Sequence, residues 1–573
     1  MPSIIRNRNR ILLAIICFVS FFLRLGSVGL FDFNEGFYAQ VAREMALRGD
    51  FITPRANGLF FFDKPPLALW CSAASIKVFG TNEFAVRLPV AIAATLLVLA
   101  VYWFGAKKFS ERTGLFAAAM TAMNPMMIAT ARQMTMDIHQ CLWFAIAMIA
   151  FYVAYSATTV AGKRNYYLFW AACGMSFLAK SAPGLFPILC CLVFVFFNER
   201  WNGREIWKRI REAKPIVGII ILVAIIAPWH YLAWKANGKV FYEEYWLLHH
   251  VQLLNGKDFN HAQPVWFYVP MLIGGLFPWS IYLPLALRFR PTLVGDERSR
   301  ALKFALIWAV VVFVIFTLMK SKLISYLLPM YPAAALIVAN WMDQSLLAGD
   351  KIKSRTMALY TLLVAVLGFV GIAVSRWAIA RAIHNAHFAS DLAREFPPAV
   401  WNWTIQSFWI AIAGGSVATA LLFSRRMRLG VIALFCTMGL FTTLAVIEGL
   451  PAMEATKMAP LQLLARRTGD AAAEGWPIAI HIAGPRRPSV FFHMPDALFL
   501  HSQLPVSVGE NGLILERGEP EEMFKFFRSN QRGKILTDSD RAAFLMKQEP
   551  AIHVVESMDR WQILEFNKSG SAQ

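Results

Sequence analysis

Thirteen apolar stretches recur along this chain, each close to the length that crosses a hydrocarbon layer of about 30 Å. They lie near 11–30, 87–105, 114–132, 139–157, 165–180, 183–198, 215–235, 265–287, 304–319, 324–341, 356–375, 402–423 and 429–449. Backbone groups in lipid find no water, so such stretches must be helices. The predicted fold class is therefore an all-α polytopic membrane protein. The residue balance agrees, with 57% hydrophobic and 16% charged side chains.

The net charge of +20 would suggest nucleic acid in a soluble protein, but here the basic residues fall in short clusters between apolar runs. Lys107-Lys108, Lys163-Arg164, the run 200–214, Arg288 with Arg290, 351–355 and 425–428 occupy alternate joints. That is the positive-inside pattern of a membrane protein, and no nucleic-acid partner is expected. Arg6, Arg8 and Arg10 precede the first stretch, so the N-terminus is predicted cytoplasmic and, with an odd number of spans, the C-terminus outside. All seven cysteines lie in apolar runs, which implies neither a disulfide framework nor a zinc site.

The run 65–80 is apolar too, but counting it as a span would invert every later loop. It is predicted instead to lie in or near the membrane surface, like a second helix from Glu35 to about Arg48, where Tyr38, Val41, Ala42, Met45 and Ala46 recur at helical spacing. Residues 1–449 thus form a membrane domain, with 31–86 as its first outer loop. From 450 to 573 the sequence becomes mixed and polar. Short β-like runs at 477–482, 489–492, 553–557 and 561–566, with a helix-like run at 521–528, predict a small outer α/β domain.

Titratable residues collect on the predicted outer side. The first loop carries Asp32, Glu35, Arg43, Arg55, Asp63 and Lys64, the next outer turn Arg132, Asp137 and His139. The loop 236–264 adds Glu243, Glu244, His249, His250, Lys257, Asp258 and His261, and Lys180, Lys320 and Lys322 sit at span ends. This mixture suits a reaction on a lipid-linked anionic substrate. A carboxylate can deprotonate an acceptor hydroxyl, while ammonium groups or a metal offset charge on a departing phosphate. Simpler roles compete: Lys320 and Lys322 can snorkel from helix ends, and Asp63-Lys64-Pro65-Pro66 can start a helix. Charge beside the aromatic run 60–62 is the part of the loop least explained by structure. Asp538-Ser539-Asp540 imitates a metal-binding Asp-X-Asp, but the helix-like run after it makes Asp538 to Asp540 a helix cap.

The succession Asn34-Glu-Gly-Phe-Tyr-Ala-Gln-Val-Ala-Arg-Glu-Met45, 49–54, Asn57-Gly58, Phe62-Asp-Lys-Pro-Pro66, Phe79-Gly80 and Arg87-Leu-Pro89 resembles the dolichyl-phosphate-mannose-protein mannosyltransferase-like superfamily. Within it the chain most resembles bacterial aminoarabinose lipid A transferases. His250, 261–268, 277–280 and 322–329 extend the likeness. The resemblance implies a GT-C fold of about thirteen spans in the bacterial inner membrane. It also implies transfer of a sugar from a polyprenyl phosphate donor to a lipid A, other envelope glycan or protein acceptor outside. By position it implies that Asp63 and Lys64 line the cavity, that Asp63 and His261 can hold a divalent metal ion, and that Lys180 serves the phosphate; among the other outer cations Arg55 and Lys322 are expected to join Lys180 there.

The chain departs from that pattern at Asn34, where relatives carry Asp, at Phe37, where aminoarabinose transferases carry Arg, and at His249 and Leu253. A transporter or flippase of lipid-linked sugars and a catalytically inactive family member remain the alternatives to a transferase. Asn34 suits a helix N-cap and cannot act as a base. The base is expected at Asp32 or Glu35, with Asp63 or Asp137 as substitutes.

Overall fold

A computed structural model describes residues 2–31, 34–252, 263–288, 296–348, 351–384, 398–452, 459–474, 476, 478–481, 492, 514–516, 524, 527–528, 531–558 and 561–567. Helices occupy every predicted span position. Among the described residues eight are long and apolar enough to cross a membrane, or ten when two bent pairs each count as one span. The shorter helices α1 (Pro2–Cys17, continued by a π-turn Phe18–Phe22), Asn165–Lys180 and Phe186–Asn198 fill the other three positions. The all-α polytopic fold expected from the sequence is present.

Two spans are not straight. The stretch 114–132 divides into Glu111–Ala122 and Pro125–Ala131, bent by 59°. Asn124 causes the break, because its Oδ1 accepts from the Met126 and Met127 amides at 2.9 and 3.2 Å while Pro125 takes the first helical position, where no donor is needed. The stretch 265–287 likewise divides into Val265–Gly275 and Trp279–Arg288, which meet at 110°. Two glycines and Pro278, which has no N–H to give, occupy that break.

The first loop builds the framework of the site. α2 (Asn34–Arg48) begins at an exposed Asn34. The helix expected from Glu35 to about Arg48 is present, and its polar residues Glu35, Gln40, Arg43 and Glu44 are all buried within the protein. The C-terminal region covers part of it, with Arg43 Nη1 donating to the Phe492 carbonyl at 3.3 Å. Strands β1 (Arg55–Ala56) and β2 (Leu59–Phe60) form an antiparallel hairpin. Its turn, Asn57-Gly58, has φ of 56° and 79°, the left-handed pair that Asn-Gly supplies at least cost. Glu44 pins the turn, accepting from the Asn57 amide and from the Gly58 amide at 3.1 Å. The run 65–80 forms α3 (Leu67–Phe79), 13 residues long. At 1.5 Å per residue it reaches only about 20 Å, too short to cross, as its loop placement required.

In the C-terminal region five strands form one sheet in the order β4-β3-β5-β7-β6. They are β3 (Ile478–His481), β4 (Ile514–Glu516), β5 (Arg532–Asp538), β6 (Ile552–Met558) and β7 (Trp561–Asn567). β3 pairs parallel with β4 and β5, while β7 pairs antiparallel with β5 and β6. Phe527, Ile535, Leu545, Leu564 and Phe566 make its core. Asp538 caps the helix Ser539–Gln548 through the Arg541 amide at 3.2 Å. The strand expected at 489–492 and the helix at 521–528 lie mostly outside the described residues.

Candidate active site

Two neighbouring helices end in opposite charges at the same end of the bundle. Asp137 is the first residue of the helix Asp137–Ser156, and Lys180 is the last of Asn165–Lys180. An acid at a helix N-terminus and a base at a C-terminus are each favoured by the helix dipole. The two helices pack together, which brings Lys180 Nζ into an ion pair with Asp137 Oδ1. Ser325 hydrogen-bonds Asp137 from the other side, and the Lys180 ammonium lies 4.6 Å from the Tyr326 ring centroid.

A second pair comes from the first loop. Lys64 Nζ meets Asp63 Oδ1 at 2.7 Å, with each side chain 24% exposed. Phe62, only 1% exposed, anchors this dipeptide among Trp229, Phe241 and Tyr245, and the Trp229 indole donates to the Ile52 carbonyl at 3.1 Å. The two pairs adjoin. The Lys64 charge acts on Asp137 and Tyr326, and the Asp63 charge acts on Tyr38, Tyr326 and Tyr245. Asp63, Lys64, Asp137 and Lys180, drawn from three separate stretches of chain, therefore form one cluster of two carboxylates and two ammonium groups.

Phenols and hydroxyls surround it, and the sequence reading had not singled them out. Tyr38 projects from α2, where burial, reinforced by the Asp63 and Asp137 charges, holds its phenol well above the usual range. It is thus a neutral donor at any physiological pH. Tyr245 shares a hydrogen bond with Ser181 at 3.1 Å and another with His230 Nε2 at 3.0 Å. Ser181 follows Lys180 directly at φ 59°, a left-handed conformation unusual for a residue with a side chain. That turn holds Lys180 at its helix end. The available signal for these residues was chemical: polar side chains at helix ends next to the charged residues.

The other expected site residues are placed elsewhere. Glu35 is buried, and its two oxygens accept from Arg87 Nε at 2.7 Å, Arg87 Nη2 at 2.8 Å, the Phe31 amide at 2.7 Å and the Met134 amide at 2.9 Å. A carboxylate holding four donors in a dry interior has no lone pair positioned for an acceptor proton. The expectation of Glu35 as base gives way to one of positioning. The Arg55 guanidinium lies 4.4 Å from the Phe60 ring centroid and donates to the Gly58 carbonyl at 3.1 Å, so it secures the hairpin. Lys322 is buried with its ammonium on the Gln263 and Met319 carbonyls. Asp32 and His261 lie outside the described residues. Among the described residues no group of three His, Cys, Asp or Glu side chains is arranged to hold a metal ion.

Residues 63–234 match the family described as dolichyl-phosphate-mannose-protein mannosyltransferase. The chain is 28% identical over 420 residues to an undecaprenyl phosphate-alpha-4-amino-4-deoxy-L-arabinose arabinosyl transferase of Pseudomonas aeruginosa, spanning 70% of this chain and 74% of the relative. A protein of the same name from Yersinia enterocolitica is 28% identical over 373 residues, 64% of this chain and 65% of the relative. In structure the chain is similar to ArnT from Cupriavidus metallidurans, crystallised with undecaprenyl phosphate. That match has a TM-score of 0.78 and 23% identity over 98% of both chains. It also resembles the apo oligosaccharyltransferase of Archaeoglobus fulgidus, with a TM-score of 0.51 and 12% identity over 94% of this chain and 71% of that one. These structural likenesses establish the shared fold. Residues 63–234 begin at the Asp63-Lys64 pair and run past Asp137 and Lys180, so the segment that carries the family likeness is also the one that builds the charged cluster. The chain is thus similar over its first membrane half to the dolichyl-phosphate-mannose-protein mannosyltransferase family and over most of its length to aminoarabinose transferases, and it shares the fold of ArnT.

Proposed function

We propose that the chain transfers a sugar from a polyprenyl phosphate donor to an acceptor hydroxyl or phosphate on lipid A or another envelope glycan. The reaction takes place on the outer face of the bacterial inner membrane, with the N-terminus in the cytoplasm and the C-terminal sheet outside. The carrying observation is the four-charge cluster of Asp63, Lys64, Asp137 and Lys180, together with the arabinosyl transferase names of the relatives and the undecaprenyl phosphate bound by ArnT.

In this reading Lys64 and Lys180 bind the donor phosphate. Asp137, the less exposed carboxylate, stays with Lys180 and aims it. As Lys64 turns to the phosphate it releases Asp63, which then accepts the proton of the acceptor. The acceptor oxygen bonds to the anomeric carbon, the bond from that carbon to the phosphate oxygen breaks, and the electron pair leaves with the polyprenyl phosphate. Two ammonium groups stabilise the charge that develops there, and the neutral Tyr38 phenol is a further donor. The divalent ion implied by the resemblance would take Asp63 and His261 as ligands and offset the same charge. No step above depends on it.

Reconstituted protein tested with undecaprenyl-phosphate sugars should separate these roles. Lys64→Met and Lys180→Met should each weaken donor binding by roughly tenfold or more, as loss of a charge-assisted contact does. Asp63→Asn should keep donor binding and lose transfer by at least about a hundredfold. Full transfer by Asp63→Asn would overturn its assignment as base. Transfer unchanged after exhaustive chelation would remove the metal from the proposal.

A further inference from the structure

A cavity of about 300 Å³ opens at the same end of the bundle as the charged cluster. Its walls combine the turn after α1, the helix Pro125–Ala131, the first turns of the helix Pro398–Phe423 and the end of the helix Met427–Leu444, and they are mostly apolar. Arg87, Arg132, Gln133, Trp403 and Thr442 break that lining, and Arg132, Trp403 and Thr442 bear on what the cavity could hold. Arg132 is 6% exposed and donates to the Ser20 and Leu23 carbonyls at 3.3 and 2.8 Å. No carboxylate pairs with it among the described residues. Arg87 also lines the wall, but Glu35 cancels its charge.

The other two polar groups have no partner among the described residues. Thr442 is 1% exposed, and its hydroxyl makes no hydrogen bond. A buried threonine in a helix ordinarily bonds the carbonyl four residues earlier. Thr437 and Thr443 on the same helix do so, to Ala433 and Gly439 at 2.7 and 2.8 Å, so Thr442 departs from its own neighbours. The Trp403 indole N–H is also buried without an acceptor. Leaving two buried polar groups and a buried cation unmatched is unfavourable. All three are satisfied by one kind of group, an anionic oxygen ester. The space suits a head group, while Trp403 and Phe441 are only partly buried on helices that expose Trp409, Val417 and Leu440.

We propose that this cavity holds the phosphate ester of an anionic membrane phospholipid, with Trp403 and Thr442 donating to its oxygens, Arg132 offsetting its charge and its acyl chains in the surrounding bilayer. The site is separate from the donor site and does not depend on the transferase reading. A lipid seated there would join α1 and the segment around Arg132 to the two last membrane helices.

The test uses the full-length protein in nanodiscs of phosphatidylglycerol or phosphatidylcholine, with retained lipid measured by native mass spectrometry after partial delipidation. Trp403→Phe and Thr442→Val remove donors while keeping apolar bulk, and neither side chain belongs to the charged cluster. The wild type should retain one phosphatidylglycerol molecule in preference to phosphatidylcholine, and the double variant should hold it roughly tenfold more weakly. Added undecaprenyl phosphate should not displace it, and neither should inorganic phosphate. Equal retention by the double variant, no preference for the anionic lipid, or displacement by either competitor would overturn the proposal. If the double variant unfolds, Thr442→Val alone, which keeps shape and volume, carries the same comparison.

Discussion

Glu35 shows how a side chain can be read correctly as special and wrongly as reactive. The sequence makes it stand out, a carboxylate just after a membrane span and beside an amide where relatives have acid. Its partner cannot be seen locally, because Arg87 is 52 positions away. Arg87 also donates to the Leu25, Val28 and Gly29 carbonyls, so the pair ties α2 to the end of the first span. Removing one member of a buried pair strands the other and costs about 3–5 kcal/mol. Arg87→Met should therefore lower the unfolding temperature markedly in detergent, and Glu35→Gln by less, because a neutral amide retains some of the bonds. Activity should fall in parallel with stability. If Glu35→Gln kept wild-type stability and lost only turnover, the residue would be a base after all. Asp63 and Lys64 were legible because charge beside three consecutive phenylalanines has few structural explanations. Their convergence with Asp137 and Lys180 was not, since it depends on which helix ends meet.

At the level of elements, hydropathy placed a helix at each of the thirteen expected positions, eight to ten of them long and apolar enough to cross a membrane among the described residues, and chemistry at their ends placed what matters for function. The Asn57-Gly58 hairpin was readable from two residues. The bends at Asn124-Pro125 and Pro278 carried equally plain signals, but averaging over a long apolar window hides a break that costs only a few polar bonds. Strand β5 was missed for a different reason. As the central strand of the sheet it is buried along most of its length, Ile535 to Asp538 without interruption, and shows no alternation to detect. The helix ends also make the Asp137–Lys180 pair testable as a unit. Asp137→Asn and Lys180→Met should each destabilise the protein, each leaving a largely buried charge behind. The double variant should lose less than the sum by roughly 1 kcal/mol or more, as contacting residues do. Strict additivity in thermal unfolding would show that the two helix ends are not coupled.

For the whole molecule, the two ends of the bundle use carboxylates differently. At the end opposite the cluster Asp343 is fully buried, accepting from Ser110 and Thr113 at 2.5 and 3.0 Å, with Arg112 at 3.3 Å and Arg298 at 3.6 Å. Hydroxyls and guanidiniums from two segments, 110–113 and Arg298, hold that acid, which suits it to clamp helices. The basic joints gather at this end, while the cluster of Asp63, Lys64, Asp137 and Lys180 with its phenols lies at the other. The proposed membrane orientation rests on the distribution of the basic joints, and it can be measured without reference to activity. Among the described residues the native cysteines are buried or partly buried except Cys436, which sits within a membrane helix. A membrane-impermeant maleimide should therefore find little to react with in the parent protein. Arg204→Cys, on an exposed helix in the basic joint before Lys214, and Lys547→Cys, on the exposed face of the helix after β5, place one thiol on each side. In intact spheroplasts Lys547→Cys should label and Arg204→Cys should label only after the membrane is opened. The reverse pattern would put the charged cluster in the cytoplasm, where a donor presented on the outer leaflet could not reach Lys64 and Lys180, and the proposed reaction would fail with the topology.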